Sequence, residues 1–110
     1  MSKFHPEYRE YYTGENNESY HRGDSWYWIN HIAAIAMHQV DSKYYRKTVT
    51  DVILASTKDL LQLGSLGYVS EVSSAARQEA AGCFAQLWSV ATYLELVKTV
   101  YSPETDEQER

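Results

Sequence analysis

One run of apolar residues constrains the fold more than anything else in the chain, because it is too broad for a one-sided helix. Trp26, Ile29, Ala33, Ala36, Met37 and Val40 recur at helical spacing, and Trp28, Ile32 and Ile35 widen the stripe. A helix that is apolar over so much of its circumference packs on more than one side. The spacing predicts this helix over about 25–40, with Asp24 or Ser25 accepting a hydrogen bond from a first-turn N–H. A second helix is predicted over 42–63. Tyr45, Val49, Val52, Ile53, Leu60 and Leu63 give it an apolar face, Lys47, Asp51 and Lys58 its wet side, and Asp41 or Ser42 its cap. Gly64 is placed to end it, since glycine tolerates the left-handed conformation common just past a helix. Residues 64–80 are rich in small residues and break the period. A third helix is predicted over 81–101, with Phe84, Leu87, Trp88, Ala91, Leu94 and Tyr101 on one face and Ser102-Pro103 stopping it. No run reads as a strand. The fold class expected is all-α: an irregular arm over 1–19, three main helices, a long loop between the second and third, and an acidic tail over 103–110 expected to be disordered.

The turn between the first two helices is very short, so they should lie antiparallel. The entry to the first and the exit from the second then fall at one end of the hairpin. Both places carry unusual sequence. "YHRGDSWYW", residues 20–28, enters the first helix; "GYVSEVSSA" follows the second. The two segments are expected to meet as walls of one pocket, aromatic on one side and carrying Glu71 on the other.

Bulk properties narrow the function. With 110 residues the chain holds one domain at most. The net charge of -5 argues against a nucleic-acid backbone or an anionic membrane as partner. A single cysteine, Cys83, excludes an internal disulfide and a cysteine-based zinc site, which fits a reducing, cytoplasmic setting. No apolar run approaches the ~20 residues of a membrane helix, and no signal peptide opens the sequence. Ten Tyr, three Trp and two Phe make aromatic rings abundant. A small helical protein can use them as core and rim, or they can stack on the C–H faces of a sugar.

The two unusual segments also resemble a known family. "YHRGDSWYW" is similar to the Tyr-His-x-Gly-x-x-Trp-x-Trp signature in the glucosidase domain of glycogen debranching enzymes. "SEVSSA…GCFAQLWSVATYLE", residues 70–95, resembles the end of the same domain, and Ser-Glu before a helix carrying Trp-Ser occurs in the wider glucoamylase-like group. Order and spacing match from about Phe4 to Ser102, so residues 1–102 are identified as a C-terminal segment of that domain.

The resemblance implies a segment of an (α/α)6 toroid, and hydrolysis of α-1,6-linked glucose at glycogen branch points with inversion. Inverting hydrolysis needs a carboxylic acid and a carboxylate roughly 6.5–9.5 Å apart, with the attacking water between them. Glu71 matches the position of the general base. Tyr20, His21, Gly23, Trp26, Trp28 and Ser70 match the sugar-binding wall. The partner implied is an α-glucan, glycogen or a limit dextrin, and neither cofactor nor metal is implied. The general acid belongs to a more N-terminal part of the family's domain. The isolated chain is therefore expected to be inactive and to work with a companion polypeptide or by self-association. The alternative is a non-catalytic carbohydrate-binding or subunit protein that completes another chain.

Each of these residues also has a plainer role open to it. Glu71 can be a solvated loop carboxylate, His21 a turn cap or a ring stacked on Trp26, and Arg22 and Asp24 a surface pair. Asp24 as a substitute acid is less simple than Asp24 as a cap. Trp26 and Trp28 point about 200° apart on a helix, so they cannot line one pocket in the same way. Trp88 suits packing, and Gln86 is a candidate for orienting either Glu71 or a sugar hydroxyl. His31 and His38 stand two turns apart, about 10 Å in rise, too far to share one ion. Cys83 reads as a small buried hydrophobe near a helix start.

Overall fold

The computed structural model describes residues 20, 21, 23–74, 77 and 79–102. The arm, the tail and Arg22 lie outside these residues. The described chain is mainly helical, with helices α1 (Tyr27–Val40), α2 (Arg46–Lys58) and α3 (Leu87–Tyr101). A π-helical turn, Asp59–Leu63, extends α2. Three two-residue strands, β1 (Ser25–Trp26), β2 (Val72–Ser73) and β3 (Ala80–Ala81), form an antiparallel sheet in the order β1-β2-β3. Ser25 stands opposite Ser73, and Val72 opposite Ala81.

Asp41 sets the hairpin between α1 and α2. Its Oδ1 accepts the N–H groups of Lys43 at 3.1 Å and Tyr44 at 2.9 Å, so the chain reverses within a few residues. The helices run antiparallel: His31, early in α1, reaches Ser56, late in α2. Helix α3 lies along α1 in the same direction, with Trp88 beside Trp28 and Thr92 beside His31. Ala34, Val49, Ile53 and Leu96 meet in the core between the three helices. Among them sits a polar hub. His31 is fully buried; its Nε2 bonds the Ser56 hydroxyl at 2.6 Å and its Nδ1 the Thr92 hydroxyl at 2.8 Å. Burial lowers its pKa from 6.5 to about 4, with the Ser89 backbone opposing the shift. A neutral ring with one N–H can satisfy both neighbours, which are hydroxyls able to donate or accept.

The outer faces of the helices differ. α2 turns Arg46, Lys47, Asp51 and Lys58 to solvent. α1 has no Asp, Glu, Lys or Arg along its length, and its exposed side carries Ile29, Ile32 and Val40 with two alanines between. α3 exposes Leu87, Trp88, Leu94 and Tyr101. Among the described residues no helix is long and apolar enough to cross a membrane.

Several boundaries differ from the sequence reading, each for a local reason. α1 begins at Tyr27 because residues 25–26 pair with β2 as a strand. Neither Asp24 nor Ser25 caps it: the position before the helix is Trp26 and makes no side-chain cap. The Tyr27 N–H bonds the Glu71 carbonyl at 3.3 Å instead, and the Ser25 hydroxyl accepts from Asn30 at 2.8 Å. α3 begins at Leu87, because 80–81 pair with β2 and Gly82 has a φ of +70°, which a helix cannot continue. Cys83 therefore lies in a loop and is exposed, not buried. Gly64 ends the second helical segment without a left-handed turn, at φ -87° and ψ -127°. Its value is close approach: a Cβ there would stand 2.5 Å from the Ser70 hydroxyl oxygen.

Candidate functional site

The loop after α2 is held from beneath by a buried acid. Asp59 has no exposed surface, and its Oδ2 accepts the Ser70 N–H at 2.6 Å while Oδ1 accepts the Ser70 hydroxyl at 3.2 Å. The π-helical turn, a feature often found at functional sites, places that carboxylate under the loop. Val69, Ser70 and Val72 are fully buried, so the backbone on both sides of Glu71 is fixed. Glu71 donates its own N–H to the Cys83 carbonyl at 2.8 Å, and its carbonyl receives the Tyr27 N–H.

The Glu71 side chain, only partly buried, ends among neutral donors. Oε1 accepts the Tyr20 hydroxyl at 2.5 Å and the Gln86 amide at 3.1 Å; Oε2 accepts the Cys83 N–H at 3.1 Å. Among the described residues the ion pairs are Lys47–Asp51 and Arg77–Glu79, and neither involves Glu71. These three bonds all come from uncharged donors and fix the direction of the carboxyl group.

Beside the carboxylate stands a group of three rings. Tyr20 packs edge-on against Trp26 at 4.5 Å and His21 at 4.9 Å, and His21 stacks on Trp26 at 5.5 Å with only 8° between planes. The Trp26 indole N–H donates to the Tyr20 carbonyl at 2.8 Å, which closes the group on itself. The aromatic stretch and the Glu71 loop thus meet at one end of the hairpin, joined by β1–β2 pairing and by Tyr20.

The remaining sequence candidates fall in two places. Gly23 is partly buried between the ring group and β1. Trp28 packs edge-on against Trp88 at 5.8 Å, away from the three-ring group. Ser70 is buried with its hydroxyl on Asp59. Gln86 stands where it was placed by sequence, on Glu71. Asp59 and Gly82 escaped the sequence reading. A Cβ at Gly82 would lie 2.5 Å from Glu71 Oε2, so glycine leaves the room that the carboxylate uses. A glycine interrupting a helical run was the available signal for Gly82; nothing local marked Asp59. A separate cavity of about 590 Å³ is lined by Tyr27, Asn30, Asp51, Ser56, Ser73 and Glu79 among others. Neither Glu71 nor the three rings line it.

Among the described residues no cation pairs with the Glu71 carboxylate, a ring stack stands at its flank, and Gly82 leaves a gap next to it. The model of the amylo-alpha-1,6-glucosidase family matches residues 1–95. The chain belongs to that family. No significant match is found among curated proteins or among solved structures. The match spans both motifs, Tyr20 and Glu71 included. Helix α3 continues beyond the matched residues to Tyr101, and its last turn is still part of the three-helix packing through Val97 and Val100.

Proposed function

We propose that this chain supplies the general base and one wall of the glucose site to an inverting α-1,6-glucosidase acting on glycogen or a limit dextrin. The observation that carries the reading is the Glu71 carboxylate, oriented by three neutral donors and flanked by Tyr20, His21 and Trp26. An ionised carboxylate in that setting can accept a proton from water as the water attacks the anomeric carbon. The rings offer a face on which a pyranose can stack, and His21, exposed at the edge, offers a hydrogen bond to a sugar hydroxyl. Ser70, buried on Asp59, holds the loop that carries Glu71.

The general acid comes from a different part of the glucosidase domain. On this reading the three helices are a segment of an (α/α)6 ring, and a companion polypeptide or further copies of the chain cover the uncharged face of α1. The setting is cytoplasmic, where glycogen is stored. The uncharged α1 face also favours a second reading, a subunit that completes another chain without taking part in chemistry.

One experiment separates the two. The chain is combined with the N-terminal portion of a debranching glucosidase domain, and release of free glucose from limit dextrin is measured. Glu71→Gln should abolish turnover and leave dextrin binding within about twofold, because the amide keeps the shape but cannot take the proton. Turnover at the unaltered rate would remove Glu71 from the base role and leave the subunit reading.

A further inference from the structure

We propose that the two oxygens of the Glu71 carboxylate have separate duties. Oε1 is the anchored oxygen, held by Tyr20 and Gln86 as positioning residues. Oε2 takes the proton from water, in a space that Gly82 keeps open. This division rests on the base role given to Glu71 above.

The argument is one of lone pairs. A carboxylate oxygen has about two acceptor positions. Oε1 uses both, on the Tyr20 hydroxyl at 2.5 Å and the Gln86 amide at 3.1 Å. Oε2 receives one described bond, from the Cys83 N–H at 3.1 Å, and keeps a second position for water. The last torsion of a glutamate is broad and nearly two-fold, so an unanchored carboxylate would exchange its oxygens freely. Here the two anchors come from different segments, one before β1 and one before α3. They pin one oxygen and so choose the other.

Gly82 matters for the same reason. Its φ of +70° disfavours any side chain, and a Cβ would stand 2.5 Å from Oε2 and 3.1 Å from the Glu71 Cβ. The next residue, Cys83, is exposed, so solvent reaches this side of the loop. In the step described, the water oxygen bonds to the anomeric carbon as the glycosidic C–O bond breaks. One water proton passes to Oε2. The leaving oxygen takes a proton from a carboxylic acid of the completing domain. Glucose and the shortened glucan leave as neutral hydroxyl compounds; the base returns its proton to solvent, and the acid takes one back from solvent.

Two measurements test this. In the recombined enzyme, Tyr20→Phe and Gln86→Leu should each lower kcat by about 10- to 100-fold and leave KM for limit dextrin within about twofold. Gly82→Ala should lower kcat by about 100-fold or more. In the chain alone, proton NMR should show the Tyr20 hydroxyl as a slowly exchanging downfield resonance, lost in Tyr20→Phe and in Glu71→Ala. Absence of that resonance overturns the anchoring. Gly82→Ala at the unaltered kcat, with Glu71→Gln inactive, overturns the assignment of Oε2 while the base role stands. Activity in Glu71→Gln itself would instead strike the base role.

Discussion

His31 makes the stability of this chain depend on pH in a window that can be stated in advance. The imidazole is fully buried between three helices, and burial lowers its pKa from 6.5 to about 4. In the folded protein the ring therefore stays neutral down to about pH 4, whereas in the unfolded chain it binds a proton below about 6.5. Between those values the unfolded state holds more protons. Stability is full above about pH 6.5 and is lost as the pH falls toward 4. Each pH unit of the gap is worth about 1.4 kcal/mol, so the whole window is worth about 3 kcal/mol. About 2 kcal/mol of that is spent between pH 7.5 and 5. A domain is stable by only about 5–15 kcal/mol, so the effect is measurable. Urea unfolding followed by circular dichroism at fixed protein concentration is the assay. The midpoint should fall by roughly 1–2 M from pH 7.5 to 5. Carboxylates contribute in the same direction at the acid end, so the comparison that decides is His31→Gln. That variant is less stable at pH 7.5 but should lose much less on acidification. An equal loss in both proteins would show that the ring is not the group that titrates.

Three other changes probe the packing. Gly64→Ala puts a methyl group 2.5 Å from a hydroxyl already held by Asp59, and should cost about 1–3 kcal/mol in thermal or urea unfolding. Leu96→Ala opens the centre of the three-helix core, where Leu96 is fully buried, and should cost about 2–5 kcal/mol by the same measurement. Ile32→Lys places a charge on the uncharged face of α1; sedimentation velocity should show weaker self-association or weaker binding of a companion domain, with stability changed by less than about 0.5 kcal/mol.

The helical hairpin was readable because its signals are local. The apolar period over 26–40 needs no distant partner, and α1 covers nearly all of it. Asp41, expected with Ser42 as a cap for a helix starting at 42, instead bonds the Lys43 and Tyr44 N–H groups of the turn. α2 starts only at Arg46, with Tyr45 before it making no side-chain cap. The strands were not readable, since two residues carry no period. That one gap explains three misplacements. Pairing of 25–26 removes the capping role from Asp24 and Ser25, pairing of 80–81 delays α3 to Leu87, and the loop so formed exposes Cys83. The ring group was visible as composition and as a motif. The bond that ties it to Glu71 spans 51 residues, and a single sequence has no term for such a contact. Asp59 was missed for the same reason: in an α-helical projection it is one more polar residue, and only the π-helical turn takes it inward to Ser70.

Why a fold this small can aim a carboxylate follows from where its backbone bonds go. Glu71 immediately precedes the central strand, so Tyr27 fastens its carbonyl from one flank and Cys83 its N–H from the other. Each flank is the lead-in to a long helix, α1 or α3, and the two helices are bound to each other through His31 and Thr92. A shift of either helix must therefore move the carboxylate or break a backbone bond to it. The same argument accounts for the polar hub in a core otherwise built of Ala34, Val49, Ile53 and Leu96. Apolar packing alone is non-directional and tolerates sliding, whereas two short bonds to one rigid ring fix the register of three helices at once. On this view His31→Leu would be well tolerated as volume and still loosen Glu71, and the loss would be read in the Tyr20 hydroxyl resonance before it was read in the melting temperature.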